Sequence, residues 1–93
     1  MARRRFDHLV LEISVAVGTR IPRYPLWLRL HEFGLNPERL SCQAIITFCG
    51  APLTRFLADH GLALPRRARR RLERNLRRYD PALSTPYERM AQI

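Results

Sequence analysis

The sequence predicts a mainly α fold, a single small bundle of four to six short helices. Three observations predict it. Prolines and glycines cut the 93-residue chain into segments of helix length. Most segments carry apolar residues at three- and four-residue spacing. No second segment offers itself as the partner a strand would need. A chain of this length makes one domain and buries about 60–65% of its unfolded surface, enough for one modest core. With 46% apolar residues it should fold on its own. The organisation read from composition is an N-terminal segment and Pro-rich connector over 1–24, a helical hairpin region over 25–61, an arginine-rich helix over 65–80 and a short terminal helix over 85–92.

Residues 6–17 fit two patterns. Leu9, Leu11, Ile13, Val15 and Val17 alternate as in a strand, whereas Phe6, Leu9, Val10, Ile13 and Val17 form one helical stripe. A strand here would have to pair with a second chain, so helix is the preferred reading. Pro22 and Pro25 then mark a connector, because neither fits a helix interior. A helix follows from Pro25 to Phe33, with Leu26, Trp27, Leu30 and Phe33 inward and Gly34 as its stop. Asn36 as cap and Pro37 at the first position open the next helix, which carries Leu40, Ala44, Ile45 and Phe48 to Gly50. Another runs from Pro52 to Gly61. Pro65 opens the arginine helix, which ends before Pro81, and Thr85-Pro86 caps a last helix through Met90. The expected core is Trp27, Leu30, Phe33, Leu40, Ile45, Phe48, Leu53, Phe56, Leu57, Leu72 and Leu76.

The charge is concentrated in one place. Seventeen basic residues stand against eight acidic ones, net +9, and every basic residue is arginine. A GC-rich coding vocabulary would replace lysine with arginine whatever the function, so the distribution of charge carries the argument. Eight arginines and one glutamate lie between Arg66 and Arg78, a net +7 in thirteen residues. Ala68, Leu72, Leu76 and Tyr79 form a narrow apolar stripe, and arginines cover the other faces. Cations in the first turns oppose the helix dipole by about 0.3–1 kcal/mol each. Like-charged i,i+4 pairs such as Arg70/Arg74 cost a few tenths of a kcal/mol more. An ordinary solvated face mixes its signs, so a counter-charge is expected in the working state.

The expected function is non-enzymatic binding of nucleic acid, DNA ahead of RNA, by a small regulatory or architectural protein. Its phosphate-binding residues are Arg66, Arg67, Arg70, Arg71, Arg74, Arg77, Arg78 and Arg55. The alternative is an adaptor that docks the same helix on an acidic protein surface. Membrane is not an expected partner, since the stripe is narrow and contains Ala68, and no segment has the roughly 18 apolar residues of a span. A domain of this charge commonly dimerises to reach useful specificity, although no heptad pattern shows where.

The stretch from Asn36 to Gly61 resembles a helix-turn-helix loosely. With Gly50 as the turn glycine, Ile45, Cys49, Ala51 and Phe56 fall at the motif's apolar positions. Ile46 stands where a small residue usually lets the helices cross, and Asp59 where an apolar one is wanted. The resemblance implies that the second helix reads base edges, for which it exposes little beyond Thr54 and Arg55.

Catalysis, metals and cofactors are not expected. His8, His31 and His60 lie on different segments, and no Ser-His-Asp set, HExxH or phosphate-binding glycine loop occurs. Cys49 with His60 is a conceivable nucleophile pair by composition alone. Cys42 and Cys49 are two helical turns apart, about 10.5 Å, too far for a disulfide or for one zinc ion. They are expected to be buried free thiols, which suits a cytoplasmic location. The start "MARRRFDHLV" resembles part of a twin-arginine signal, but Asp7, His8 and Glu12 interrupt the apolar run and no small-x-small cleavage site follows.

Overall fold

The computed structural model describes residues 4–79. Five α-helices fill them: α1 (Arg4–Val17), α2 (Arg23–Glu32), α3 (Cys42–Phe48), α4 (Ala51–Asp59) and α5 (Arg66–Arg78). A single 3-10 turn, Pro37–Arg39, precedes α3, and no strand occurs among the described residues. The short helix expected over 85–92 lies outside the described residues.

Residues 6–17 take the helical reading. Phe6, Leu9, Val10 and Ile13 are buried, while Val15, which an alternating strand would have turned inward, is 52% exposed. Helix α1 therefore supplies a quarter of the core that the expected core list omitted. Leu26 and Ile21 join it, the latter held in the connector by a backbone N–H that donates to Ser14 Oγ at 3.2 Å. The Ser14 hydroxyl in turn donates to Val10 O at 2.8 Å.

Three helices end alike. Gly18, Gly34 and Gly61 have φ of 80°, 90° and 70°, the left-handed conformation that glycine adopts without a Cβ clash. In each case the residue after the glycine reaches back to a carbonyl five residues earlier: Thr19 to Ser14, Leu35 to Leu30, Leu62 to Leu57. These are Schellman closures, and Leu35 and Leu62 pack on the core beside them. Gly50 is different. Its φ is −78°, and it serves as N-cap of α4.

Helix starts differ from the sequence reading at two places. Helix α2 begins at Arg23, two residues before Pro25, because a proline in the first turn gives up an N–H that has no intrahelical partner anyway. The helix expected to run unbroken from Pro37 is divided. Asn36 accepts from Glu38 N at 3.0 Å but caps only the three-residue 3-10 turn. Leu40 is extended, and Ser41 caps α3 by accepting from Ala44 N at 3.1 Å. A serine cap contributes about 0.5–2 kcal/mol, sufficient to favour a fresh start over continuation. The break leaves Leu40 half-buried. Phe33, just past the end of α2, is 42% exposed, although its ring meets Phe48 edge-on at 5.9 Å. Trp27 is also only half-buried. The remaining eight expected core residues are buried.

Helix α5 packs mainly on α1 and α3. Leu72 and Leu76 enter the core from its inner face. A buried polar contact accompanies them: Asn75 Nδ2 donates to Glu12 Oε2 at 3.0 Å, and His8 Nε2 lies 3.3 Å from Glu12 Oε1. The His8 ring stacks on Tyr79 with centroids 4.0 Å apart. The hydrogen bond from His8 lowers the Glu12 pKa below its ordinary 4.5; burial opposes the shift, and the Asn75 bond and the charge on protonated His8 add to it.

The sign of the pH effect follows. A carboxyl more acidic in the folded state contributes stability above its unfolded pKa, and that contribution is lost as pH falls through the folded value. Glu12→Gln should lower stability at about pH 6 by roughly 1–3 kcal/mol. It should also lose part of the decline that wild type shows between about pH 6 and pH 3. Urea midpoints of the two proteins at both pH values measure this, and parallel declines would remove Glu12 from the account.

Candidate functional site

Helix α5 is set at 100° per residue by ordinary α geometry. On that wheel Ala68, Leu72 and Leu76 face inward, flanked by Asn75 on one side and Arg69 and Glu73 on the other. Arg66, Arg77, Arg70, Arg74, Arg67, Arg78 and Arg71 follow in angular order over an arc of about 140°. All seven are exposed. The helix is about 20 Å long, so the arc is a compact cationic surface.

Arg69 does not belong to it. The sequence reading put this residue among the exposed faces, but it is half-buried and makes two hydrogen bonds. Its Nη1 donates to Cys49 O at the end of α3, and its Nη2 donates to Thr54 Oγ1 on α4. The carbonyls at a helix C-terminus carry partial negative charge and no intrahelical donor, so a guanidinium there satisfies both needs. The signal was present in the spacing: Arg69 is three residues before Leu72 and seven before Leu76, which places it at the edge of the apolar stripe.

Four acidic groups are engaged elsewhere in the fold, and a fifth, Glu73, lies on α5 itself beside the apolar stripe. Asp7 pairs with Arg23 at 2.6 Å, Asp59 with Arg29 at 2.8 Å, and Glu32 with Arg29 at 3.7 Å. Glu12 is taken by His8 and Asn75. Among the described residues, no carboxylate forms an ion pair with any of the seven exposed arginines of α5. Among the described residues, the charge on this face of α5 is left unmatched by ion pairs.

Arg55 lies apart from the arc. It lines a groove of about 390 Å³ between α2 and α4 with Arg29, Glu32, Phe33 and Asp59, a surface of mixed sign. The fold therefore brings together seven of the eight residues that the sequence singled out.

Helices α3 and α4 are joined by Cys49 and Gly50 alone. Ile45, Cys49 and Phe56 are buried, as the helix-turn-helix resemblance implies, but Ala51 is exposed. Of the polar residues on α4, Thr54 accepts from Arg69 and Asp59 is paired with Arg29. A reading helix needs such side chains for base edges. Here those two are engaged within the fold, which leaves the exposed Arg55 as the remaining polar side chain of α4.

The chain matches no family model, no curated protein and no solved structure. No described helix is long and apolar enough to cross a membrane. Among the described residues no three histidine, cysteine or acidic side chains are grouped to hold a metal ion.

The thiols are not equivalent. Cys49 is fully buried, and its pKa is pushed up to about 12 by burial and by the nearby Glu73 charge, with Arg69 acting in the opposite direction. Cys42, expected to be buried as well, is half-buried at the first position of α3, with Sγ 4.0 Å from Leu76 O. The divided helix explains this, since Cys42 opens a new helix where the sequence reading had it in mid-helix.

Two outcomes are expected. In the folded protein a thiol reagent should modify Cys42 first, and Cys49 only at the rate of unfolding, because both thiolate character and access are suppressed there; mass spectrometry of a labelling time course reads this directly. Arg69→Ala should destabilise by about 1–3 kcal/mol, since it strands a buried carbonyl. Arg70→Ala should stay within about 0.5 kcal/mol of wild type. Equal urea midpoints for the two variants would show that Arg69 is no more structural than its neighbours.

Proposed function

We propose that the protein is a non-enzymatic nucleic-acid-binding protein that holds the phosphate backbone with the exposed arc of α5. The observation that carries this reading is the unmatched charge itself. Seven guanidiniums share one continuous face, while Asp7, Glu12, Glu32 and Asp59 are paired with other residues. Such a face repels itself at i,i+4 and opposes the helix dipole at its start, so the free fold gains nothing from it. A polyanion relieves both costs and adds entropy by releasing condensed counterions.

Backbone contact of this kind positions a protein without reading sequence. The engagement of Thr54 and Asp59 within the fold supports sequence-independent binding over base-edge readout from α4. Arginine's planar fork suits phosphate oxygens, two at a time.

The test is reversal of charge along one strip of the arc. Arg67, Arg71, Arg74 and Arg78 lie within about 60° of one another on the wheel. The quadruple glutamate variant should keep its helical circular dichroism spectrum and lose duplex DNA binding. The log–log salt slope should fall by about 3–4 units if four phosphate contacts are removed. Equal binding by the variant would reduce the arc to a solvated surface. A shallow slope in wild type, with retention of an acidic protein that survives nuclease treatment, would put the arc on a protein partner instead.

A further inference from the structure

The end of the arginine arc leads to an aromatic pocket. Arg77 and Arg78 are followed by Tyr79, over whose ring the Arg5 guanidinium sits at 5.6 Å. Arg5 precedes Phe6 in α1, and Phe6 forms one wall of an open pocket of about 290 Å³ completed by Arg23, Tyr24 and Trp27. Cationic surface thus continues from α5 across the N-terminal turn of α1 to this pocket.

The pocket offers a flat ring the aromatic surface of Tyr24 and Trp27, with the buried Phe6 beneath. Phe6 and Trp27 meet edge to face at 5.0 Å and 83°. The Arg23 guanidinium lies 5.2 Å over the Phe6 ring and is held there by Asp7 at 2.6 Å. Tyr24 and Trp27, three residues apart on α2, stand on the same side of that helix. Tyr24 is 69% exposed, which is a large apolar area to leave in water on so small a domain. Among the described residues that line the pocket none is aliphatic, unlike the usual peptide-docking groove.

We infer that this pocket accepts an unpaired nucleobase by stacking, while the α5 arc holds the phosphates that lead to it. The ligand class is then single-stranded nucleic acid. Aromatic rings and guanidinium planes are the surfaces on which splayed-out bases stack, and such stacking tolerates any base because each has a π face. A duplex could use the arc but would present no base to the pocket. This inference rests on the phosphate-binding reading of α5 and goes beyond it.

Trp27 is the chain's single tryptophan, so its fluorescence reports on the pocket without interference. The experiment titrates the full chain with three polyanions: oligo(dT), an abasic deoxyribose-phosphate strand of equal length, and heparin. All three should bind in low salt. Only oligo(dT) should quench Trp27, and it should bind more tightly than the abasic strand. Tyr24→Ala, which alters an exposed side chain, should weaken oligo(dT) about tenfold through loss of one base stack and leave the abasic strand and heparin unchanged. Circular dichroism verifies that this variant is folded. If base-bearing and abasic strands bind alike, or Tyr24→Ala leaves oligo(dT) affinity as in wild type, the pocket is not a base site, and the arc can still be a phosphate site. If no strand binds wild type, or the quadruple glutamate variant binds as well as wild type, the phosphate reading fails and the pocket proposal with it.

Discussion

The whole arrangement depends on how α5 is held down. A thirteen-residue helix carrying a net +7 repels itself, and its apolar stripe offers only Leu72, Leu76 and the small Ala68 to the core. An isolated helix of that length is marginal in water even with favourable residues. The fold compensates on both flanks of the stripe. On one side Asn75 donates to the buried Glu12 carboxylate of α1, and on the other Arg69 donates to the last carbonyl of α3 and to Thr54 of α4. Each is a hydrogen bond to or from a charged group, the stronger kind. The remaining arginines can face solvent because these contacts, and not the arginines themselves, keep the helix in place.

That division of labour also explains how the other charges are placed. Asp7, Glu32 and Asp59 each hold an arginine on α2, and those pairs are exposed enough to contribute little stability. Their effect is on the distribution of charge. They neutralise α2 locally, while the densest run of unpaired arginines among the described residues stays on α5. A charge distribution this uneven would draw a polyanion toward the α5 side first.

Much of the fold was legible in the sequence, for identifiable reasons. Gly34 and Gly61 punctuate helices because only glycine closes them with a left-handed residue at no cost, and proline marks the starts of α4 and α5. That seven of the eight arginines singled out share one exposed face could be read from the wheel because a helix with a single apolar stripe has one orientation. What escaped was partly local and partly long-range. Asn36 drew the reading because Pro37 follows it, while Ser41, as good a cap in isolation, opens α3. Ile21 in the connector gave no periodic signal, since only the Ser14 hydroxyl brings it inward. Arg55 looked like part of the basic surface because the sequence does not say which side of α4 faces α5. Arg69 was left off the phosphate-binding list, but its place at the stripe's edge was not read as a structural role.

The Asn75–Glu12 bond joins residues 63 positions apart. Contacts of α3 with α5 and of Arg29 with Asp59 also join distant parts of the chain, but α1 meeting α5 closes the longest circuit among the described helices. Loops of that length close at an entropic cost that local structure cannot return. Helix α5 is the last of the described helices, and its position depends on those before it. During synthesis α1 emerges long before its partner and must keep Phe6, Leu9 and Ile13 from other company until α5 has left the ribosome. An early-emerging apolar helix and a late-arriving basic one are therefore a single folding unit separated in time, and the interval between them is when the chain is most open to aggregation.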